Sequence, residues 1–342
     1  MRKRKVFLIT GVLIAVFLIK INLLKAADDV SEYFGCWALT LPGNVPGWIE
    51  IRNDKGYLDA DILWGGGSVL PVASVYLEKG KLVVTRVREL VRERDEEKKP
   101  IRSHTITSRI FFTVKGDNLN GIMYTPSYSG TEIREATIEG IRIPPPPEAP
   151  DLSKVNYGDP KELFNGKDLT GWELINPKST NGFSVENGIL INNPVQKEDE
   201  PHVWYGNIRT IEEFEDFNIK LEVNVPENGN SGVYLRGIYE VQVFDSYGKP
   251  LDSHNMGGLY SRITPSENAE RPAGEWQTYN ITLCQRHLTV ILNDVTIIDN
   301  QPIKGITGGA LTSNEFAPGP IYLQGDHDKV MYRNIILTPI VK

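Results

Sequence analysis

One stretch of the chain gathers side chains that can move protons and hold charge. Between Asn228 and Ser246 it carries Tyr234, Arg236, Glu240 and Gln242 among apolar residues. Side chains alternate along a strand, so Val233 and Leu235 share one face and Tyr234 and Arg236 the other. If Gly237-Ile238 turn tightly, the next strand sends Tyr239, Val241 and Val243 into a core and sets Glu240 and Gln242 beside Tyr234 and Arg236. A carboxyl and a phenol can exchange protons, and a guanidinium can stabilise developing negative charge. The bland alternative is a solvated outer face with a cross-strand Arg236–Glu240 ion pair, worth little.

Two further segments add histidines. Asp252-Ser253-His254-Asn255-Met256-Gly257-Gly258-Leu259-Tyr260 reads as a loop whose glycines permit close backbone approach. Gly319 to Asp328 reads as a late strand carrying Gln324 and ending at His327. Asp252, His254, Asp326, His327 and Asp328 are suitable metal ligands by type, yet their spacing matches no metal signature, so no cofactor is expected. The chain has no Gly-x-Ser-x-Gly elbow, no phosphate-cradling loop ending in Lys-Ser or Lys-Thr, and no paired CxxC. Gly65-Gly66-Gly67 has no helix pattern after it and reads as a turn or bulge.

The elements that must position these residues are strands. After residue 158, strand-like segments recur at short spacing, among them Asn218–Val225, Ser231–Arg236, Tyr239–Phe244, Trp276–Leu283, His287–Leu292 and Val330–Pro339. No segment sustains a 3.6-residue period, so an all-β fold with two packed antiparallel sheets is expected. Pro144-Pro145-Pro146-Pro147-Glu148-Ala149-Pro150 suits an extended spacer. The expected division is a signal over 1–27, a β-meander over 28–143, a linker over 144–157 and a sandwich over 158–342. In the meander, Phe34-Gly35-Cys36-Trp37 resembles the opening of lipocalin-like barrels, with a small β-sandwich as the alternative. The mixed-charge run Arg92–Lys99 reads as an exposed hairpin tip or short helix.

Four basic residues lead into the apolar run Val6–Ile19 and small residues before Asp28, the pattern of a secretory signal, with an uncleaved anchor the lesser reading. Periplasmic or extracellular location is therefore expected. Removing the six basic residues of that segment leaves 31 basic against 44 acidic residues, a net −13. So acidic a body repels phosphate backbones and suits neutral ligands. Cys36 and Cys284 are too few for a disulfide framework and read as buried apolar residues.

Glu162-Leu163-Phe164-Asn165-Gly166-Lys167-Asp168-Leu169-Thr170-Gly171-Trp172 resembles the opening signature of the 3-keto-disaccharide hydrolase family. Gly229–Val233, Tyr239–Ser246, Gly258-Leu259-Tyr260, Gly274–Tyr279 and Leu323-Gln324 through Tyr332–Ile335 resemble it in the same order, across about residues 158–340. One departure is Gly325, which separates Gln324 from Asp326-His327 where the family more often runs Leu-Gln-Asp-His. The resemblance implies a concanavalin-like jelly roll and cleavage of glycosides oxidised at the sugar C3. The keto sugar would come from a partner sugar 3-dehydrogenase.

A C3 ketone acidifies the C2 proton, so a base can remove it and the enediolate can expel the glycosidic oxygen. Glu240 or His254 could serve as base, Arg236 could hold the enediolate, and His327 or Tyr260 could protonate the leaving oxygen. Gln242 and Asp245 could hold sugar hydroxyls, with Tyr234, Gln324 and the aromatic face of Trp204 as further substrate contacts. A divalent ion chelated by the ketone would stabilise the same enediolate. Two alternatives remain open. Glu240-x-Gln242-x-x-Asp245 is similar in spacing to the catalytic strand of retaining glucanases, though Asp245 would need a bulge to join the cleft. A non-catalytic carbohydrate-binding module would use Trp204, Tyr234 and Tyr260 as platforms.

Overall fold

A computed structural model of the chain describes residues 30–197 and 200–341. The segment read as a secretory signal lies outside them. Apart from a 3-10 turn at Val30–Tyr33, every regular element among the described residues is a strand. None of the described helices is long and apolar enough to cross a membrane.

The first nine strands are β1 (Gly35–Leu41), β2 (Val45–Asp54), β3 (Tyr57–Trp64), β4 (Leu70–Pro71), β5 (Ser74–Glu78), β6 (Lys81–Arg94), β7 (Pro100–Lys115), β8 (Asn118–Pro126) and β9 (Ile133–Ile143). They follow the order β4-β3-β2-β1-β9-β8-β7-β6-β5, an up-and-down meander whose first and last strands pair while β4 and β5 form the edges. Trp37 on β1 is fully buried, with the Arg142 guanidinium 4.1 Å from its ring centroid. The charged run is a hairpin tip, where Asp95 N donates to Lys99 O between β6 and β7.

The remaining strands build a sandwich. One sheet runs β14 (Phe183–Glu186), β15 (Ile189–Asn192), β25 (Val330–Val341), β18 (Phe217–Asn224), β21 (Trp276–Cys284), β22 (His287–Leu292) and β23 (Val295–Pro302), with β10 (Asn156–Tyr157) and β11 (Lys161–Glu162) also paired to β25. The other runs β12 (Trp172–Leu174), β17 (Ile208–Thr210), β24 (Tyr322–Leu323), β19 (Asn230–Leu235) and β20 (Tyr239–Phe244). A short parallel pair joins β13 (Thr180–Asn181) to β16 (Tyr205–Gly206).

Period-two patterning explains the packing. Phe217, Ile219, Leu221 and Val223 of β18 are buried, and their inward faces meet Val233, Leu235, Val241 and Val243 from the facing sheet in one core. The result is a sandwich of two antiparallel sheets around one core. The family-like segment Glu162–Trp172 forms a turn held by its own hydrogen bonds. Asn165 Oδ1 accepts from Lys167 N and Asp168 N, and Trp172 Nε1 donates to Leu163 O at 2.6 Å. Hydrogen bonds from Thr170 and Asn165 hold the Asp168 carboxyl down to about 2.

The chain divides into two compact units. Among the described residues, the first holds 30–34, 51–59 and 72–136, and the second holds 35–50, 60–71 and the chain from 137 onward. The proline-rich segment thus falls inside the second unit, where Pro144 O accepts from Arg286 and Pro150 O from Asn300. The ends of β2 and β3 that belong to this unit share its core through Trp48 and Leu63, and the Arg262 guanidinium covers the Trp48 ring at 4.0 Å. Cys36 and Cys284 are free thiols, both pushed up to about 11, mainly by burial.

Leu221→Ala removes a core side chain that is only 2% exposed. It should lower stability by about 2–5 kcal/mol, read as a lower urea midpoint by tryptophan fluorescence.

Candidate functional site: a buried carboxyl on the β19–β20 hairpin

The hairpin register is unbroken from Asn230↔Phe244 to Leu235↔Tyr239. It pairs Tyr234 with Glu240 and Gly232 with Gln242, so Tyr234, Glu240 and Gln242 share a face as expected. Glu240 is only 4% exposed. It fits because Gly232 has no side chain. A Cβ there would stand 2.3 Å from Glu240 Oε1.

Burial pushes the Glu240 carboxyl up to about 8, against a smaller opposing pull from the Tyr234 hydrogen bond and the nearby His327 ring. The proton count agrees with that direction. Tyr234 Oη lies 2.8 Å from Glu240 Oε2 and 2.7 Å from Gly308 O, yet a phenol has one hydrogen. The Gly308 carbonyl can only accept. With the phenol proton on Gly308 O, the contact to Glu240 is satisfied when the carboxyl carries the proton. Tyr322 stacks on Tyr234 with ring centroids 3.8 Å apart, and its hydroxyl donates to Gly309 O. Burial raises both phenols well above the usual value.

Around this carboxyl stand several of the residues expected from sequence. Gln324 N donates to Gly232 O, and Gln324 Oε1 is buried with no hydrogen-bond partner among the described residues. His327 Nδ1 lies 2.8 Å from Asp326 Oδ1. That hydrogen bond raises the imidazole and lowers the Asp326 carboxyl. His202 lies within electrostatic reach of Asp326, and its ring meets Trp204 edge-on at 4.4 Å. Trp204 is 72% exposed, so its ring face is open to a sugar.

Other expectations need correction. Arg236 does not face Glu240. It sits outside β19 with φ of 54° beside Gly237 at 66°, the left-handed pair of a I′-type turn closed by Ile238 N to Leu235 O. That backbone breaks the alternation, and the buried guanidinium instead donates to Glu315 O at 2.7 Å and to Ala317 O. Its charge is felt by Tyr239 and Glu315 on the core side. Arg236 therefore clamps the 315–317 loop and is not available to an enediolate. Asp245 lies beyond β20, where Oδ2 accepts from Asn228 N and caps a turn. With no bulge in the hairpin, Asp245 does not join Glu240 in a glucanase-like carboxylate pair. Gln242 is buried, and its Oε1 accepts from Val243 N at 3.1 Å.

His254 and Tyr260 form a second group. The 252–260 loop runs along β20, with Gly257 N donating to Gln242 O and Tyr260 N to Glu240 O. His254 Nδ1 bonds Asp252 Oδ1, its Nε2 lies 2.8 Å from Ser68 Oγ, and its ring meets Tyr260 edge-on at 4.6 Å. Sequence reasoning passed over Ser68, Thr307, Gly308 and Tyr322. The glycine pairs beside Ser68 and at 308–309 were the available signal. Among the described residues, no three His, Cys, Asp or Glu side chains converge as a metal cluster would require.

The described residues thus define an all-β domain with a buried carboxyl on one hairpin face. A profile of the 3-keto-alpha-glucoside-1,2-lyase-like domain matches residues 159–338, more than half of the chain, and the protein belongs to that family. Two crystal structures of candidate glycosyl hydrolases from Parabacteroides distasonis ATCC 8503 are similar. One is 30% identical over 62% of this chain and 95% of its own, with a TM-score of 0.44. The other is 21% identical over 53% and 94%, with a TM-score of 0.45. The carbohydrate-binding module CBM66 of Bacillus subtilis is 12% identical over 48% and 93%, with a TM-score of 0.30. No curated protein matches.

Because burial raises Glu240 from 4.5 to about 8, the folded chain keeps a proton that the unfolded chain releases across that interval. The stability of the neutral, buried carboxyl is complete below about pH 4.5 and is lost as pH rises through about 8. Glu240→Gln should therefore melt close to wild type at pH 4.5 and at a higher temperature than wild type at pH 9, measured by calorimetry across the range.

Proposed function

We propose that the protein cleaves the glycosidic bond of 3-keto-glucosides by elimination, with Glu240 as the base. The observation that carries this reading is the Glu240 carboxyl itself. A carboxyl poised at about 8 is ionised in a useful fraction near neutral pH and is basic enough to take a carbon-bound proton acidified by a neighbouring ketone. Its carboxylate removes the C2 proton, the C1–C2 double bond forms, and the C1–O bond breaks. His327, raised by Asp326, supplies the proton that the departing oxygen takes up. Gln324 offers its amide to the sugar and Trp204 an open aromatic face. The product is an unsaturated 3-keto sugar, and later addition of water gives the hydrolytic outcome.

The reading includes export of the mature chain and an upstream reaction that oxidises the C3 hydroxyl of a glycoside. Incubation with a glucoside and with its C3-oxidised counterpart, followed by mass spectrometry, should show turnover of the keto form alone. Glu240→Gln should reduce that turnover by about 10²–10⁴-fold. Cleavage of the unoxidised glucoside, or binding of the keto form without conversion, would overturn the proposal.

A further inference from the structure

The group at Ser68 lies beside the Glu240 hairpin, with Tyr260 N donating to Glu240 O, but its side chains are not used by the elimination. We propose that Ser68, His254 and Asp252 form a nucleophile, base and orienting carboxylate that transfer acyl groups from carboxylic esters to water.

The three side chains are in series. Ser68 Oγ lies 2.8 Å from His254 Nε2, and the opposite ring nitrogen, Nδ1, bonds Asp252 Oδ1. This is the order a serine nucleophile requires, because a carboxylate on Nδ1 holds the imidazole in the tautomer whose Nε2 accepts a proton. The carboxylate is fixed in turn, since His254 N also donates to Asp252 Oδ1 at 2.8 Å. Both hydrogen bonds hold the Asp252 carboxyl below its usual range, so it stays ionised. The Tyr260 ring packs edge-on against His254, with its hydroxyl 3.5 Å from Ser68 Oγ. Val69 N donates to Ser261 Oγ at 2.9 Å and anchors the serine's own turn to the same loop.

Access is also present. Gly66 and Gly67 precede the serine, both are exposed, and a Cβ on either would meet nothing within 4 Å. The outer side of this turn is therefore open to an acyl group, while the Gly67 backbone packs on its inner side against Gly308. The His254 side chain is 37% exposed, which leaves room for a departing alcohol. Ser68 lies outside the segment matched by the family profile, although it belongs to the same compact unit as His254.

Oγ forms a bond to the carbonyl carbon while its proton passes to Nε2. The ester C–O bond then breaks, and the alkoxide leaves with that proton. Water repeats the sequence on the acyl-serine and releases the acid, with nothing oxidised or reduced.

The probes are diisopropyl fluorophosphate, mapped by peptide mass spectrometry, and p-nitrophenyl acetate, followed by release of nitrophenolate. The purified wild-type chain should gain one adduct, on Ser68, and give a burst of about one equivalent of nitrophenolate. In Ser68→Ala the adduct should be absent. His254→Gln and Asp252→Asn, each shown by calorimetry to melt as a folded protein, should label at least tenfold more slowly. An unmodified Ser68 in the wild-type chain, no burst, or labelling at an unchanged rate in His254→Gln would overturn the proposal. The wild-type measurement needs no variant, and glycoside turnover plays no part in it.

Discussion

A single carboxyl group, taken out of water and given only neutral hydrogen-bond partners, sets the terms for the surrounding structure. Glu240 lies in a sheet face that a second large side chain at position 232 would fill, and Gly232 leaves the space. The Tyr234 phenol reaches it at 2.8 Å. Burial outweighs the opposing pull of the Tyr234 hydrogen bond and the His327 ring, so the carboxyl favours its neutral form and its high affinity for a proton follows from its place in the fold. The neighbouring 307–309 turn is tied to the same residues. Thr307 Oγ1 accepts from Glu240 N, while the carbonyls of Gly308 and Gly309 accept from the stacked pair Tyr234 and Tyr322.

Close backbone approach is the means by which other segments reach this hairpin. A Cβ on Gly308 would stand 2.1 Å from Gly67 O, and one on Gly319 would stand 2.2 Å from Arg236 O. The first contact brings the Gly65–Ser68 turn against the loop that holds Tyr234. The second sets the 315–319 loop over the Arg236 turn, where the guanidinium satisfies two of its carbonyls. Glycine at these places serves packing, since a methyl group on either would collide with backbone that cannot yield.

Much of the strand pattern was legible because burial in a half-solvated strand has a period of two. Tyr239–Phe244 and His287–Leu292 have the bounds read from sequence, while β18 is shifted by one residue at both ends and β21 runs one residue further. The shared face of Tyr234, Glu240 and Gln242 followed from the same alternation. Arg236 failed because alternation assumes extended backbone, and its positive φ turns the side chain elsewhere. Nothing local to Leu235-Arg236-Gly237-Ile238 distinguishes a strand end with an outward arginine from a turn whose arginine clamps a loop about 80 residues later.

By itself the sequence determined the strands, the two-sheet architecture and the position of the proton-exchanging side chains along the chain, because hydrophobic alternation and turn residues act over a few neighbours. Tertiary structure alone decided which of those side chains meet. Ser68 and His254 are 186 residues apart, and Tyr234 and Gly308 are 74 apart. It also decided the state of Glu240, because a pKa depends on how much water and charge surround a group, and both are set by residues distant in sequence.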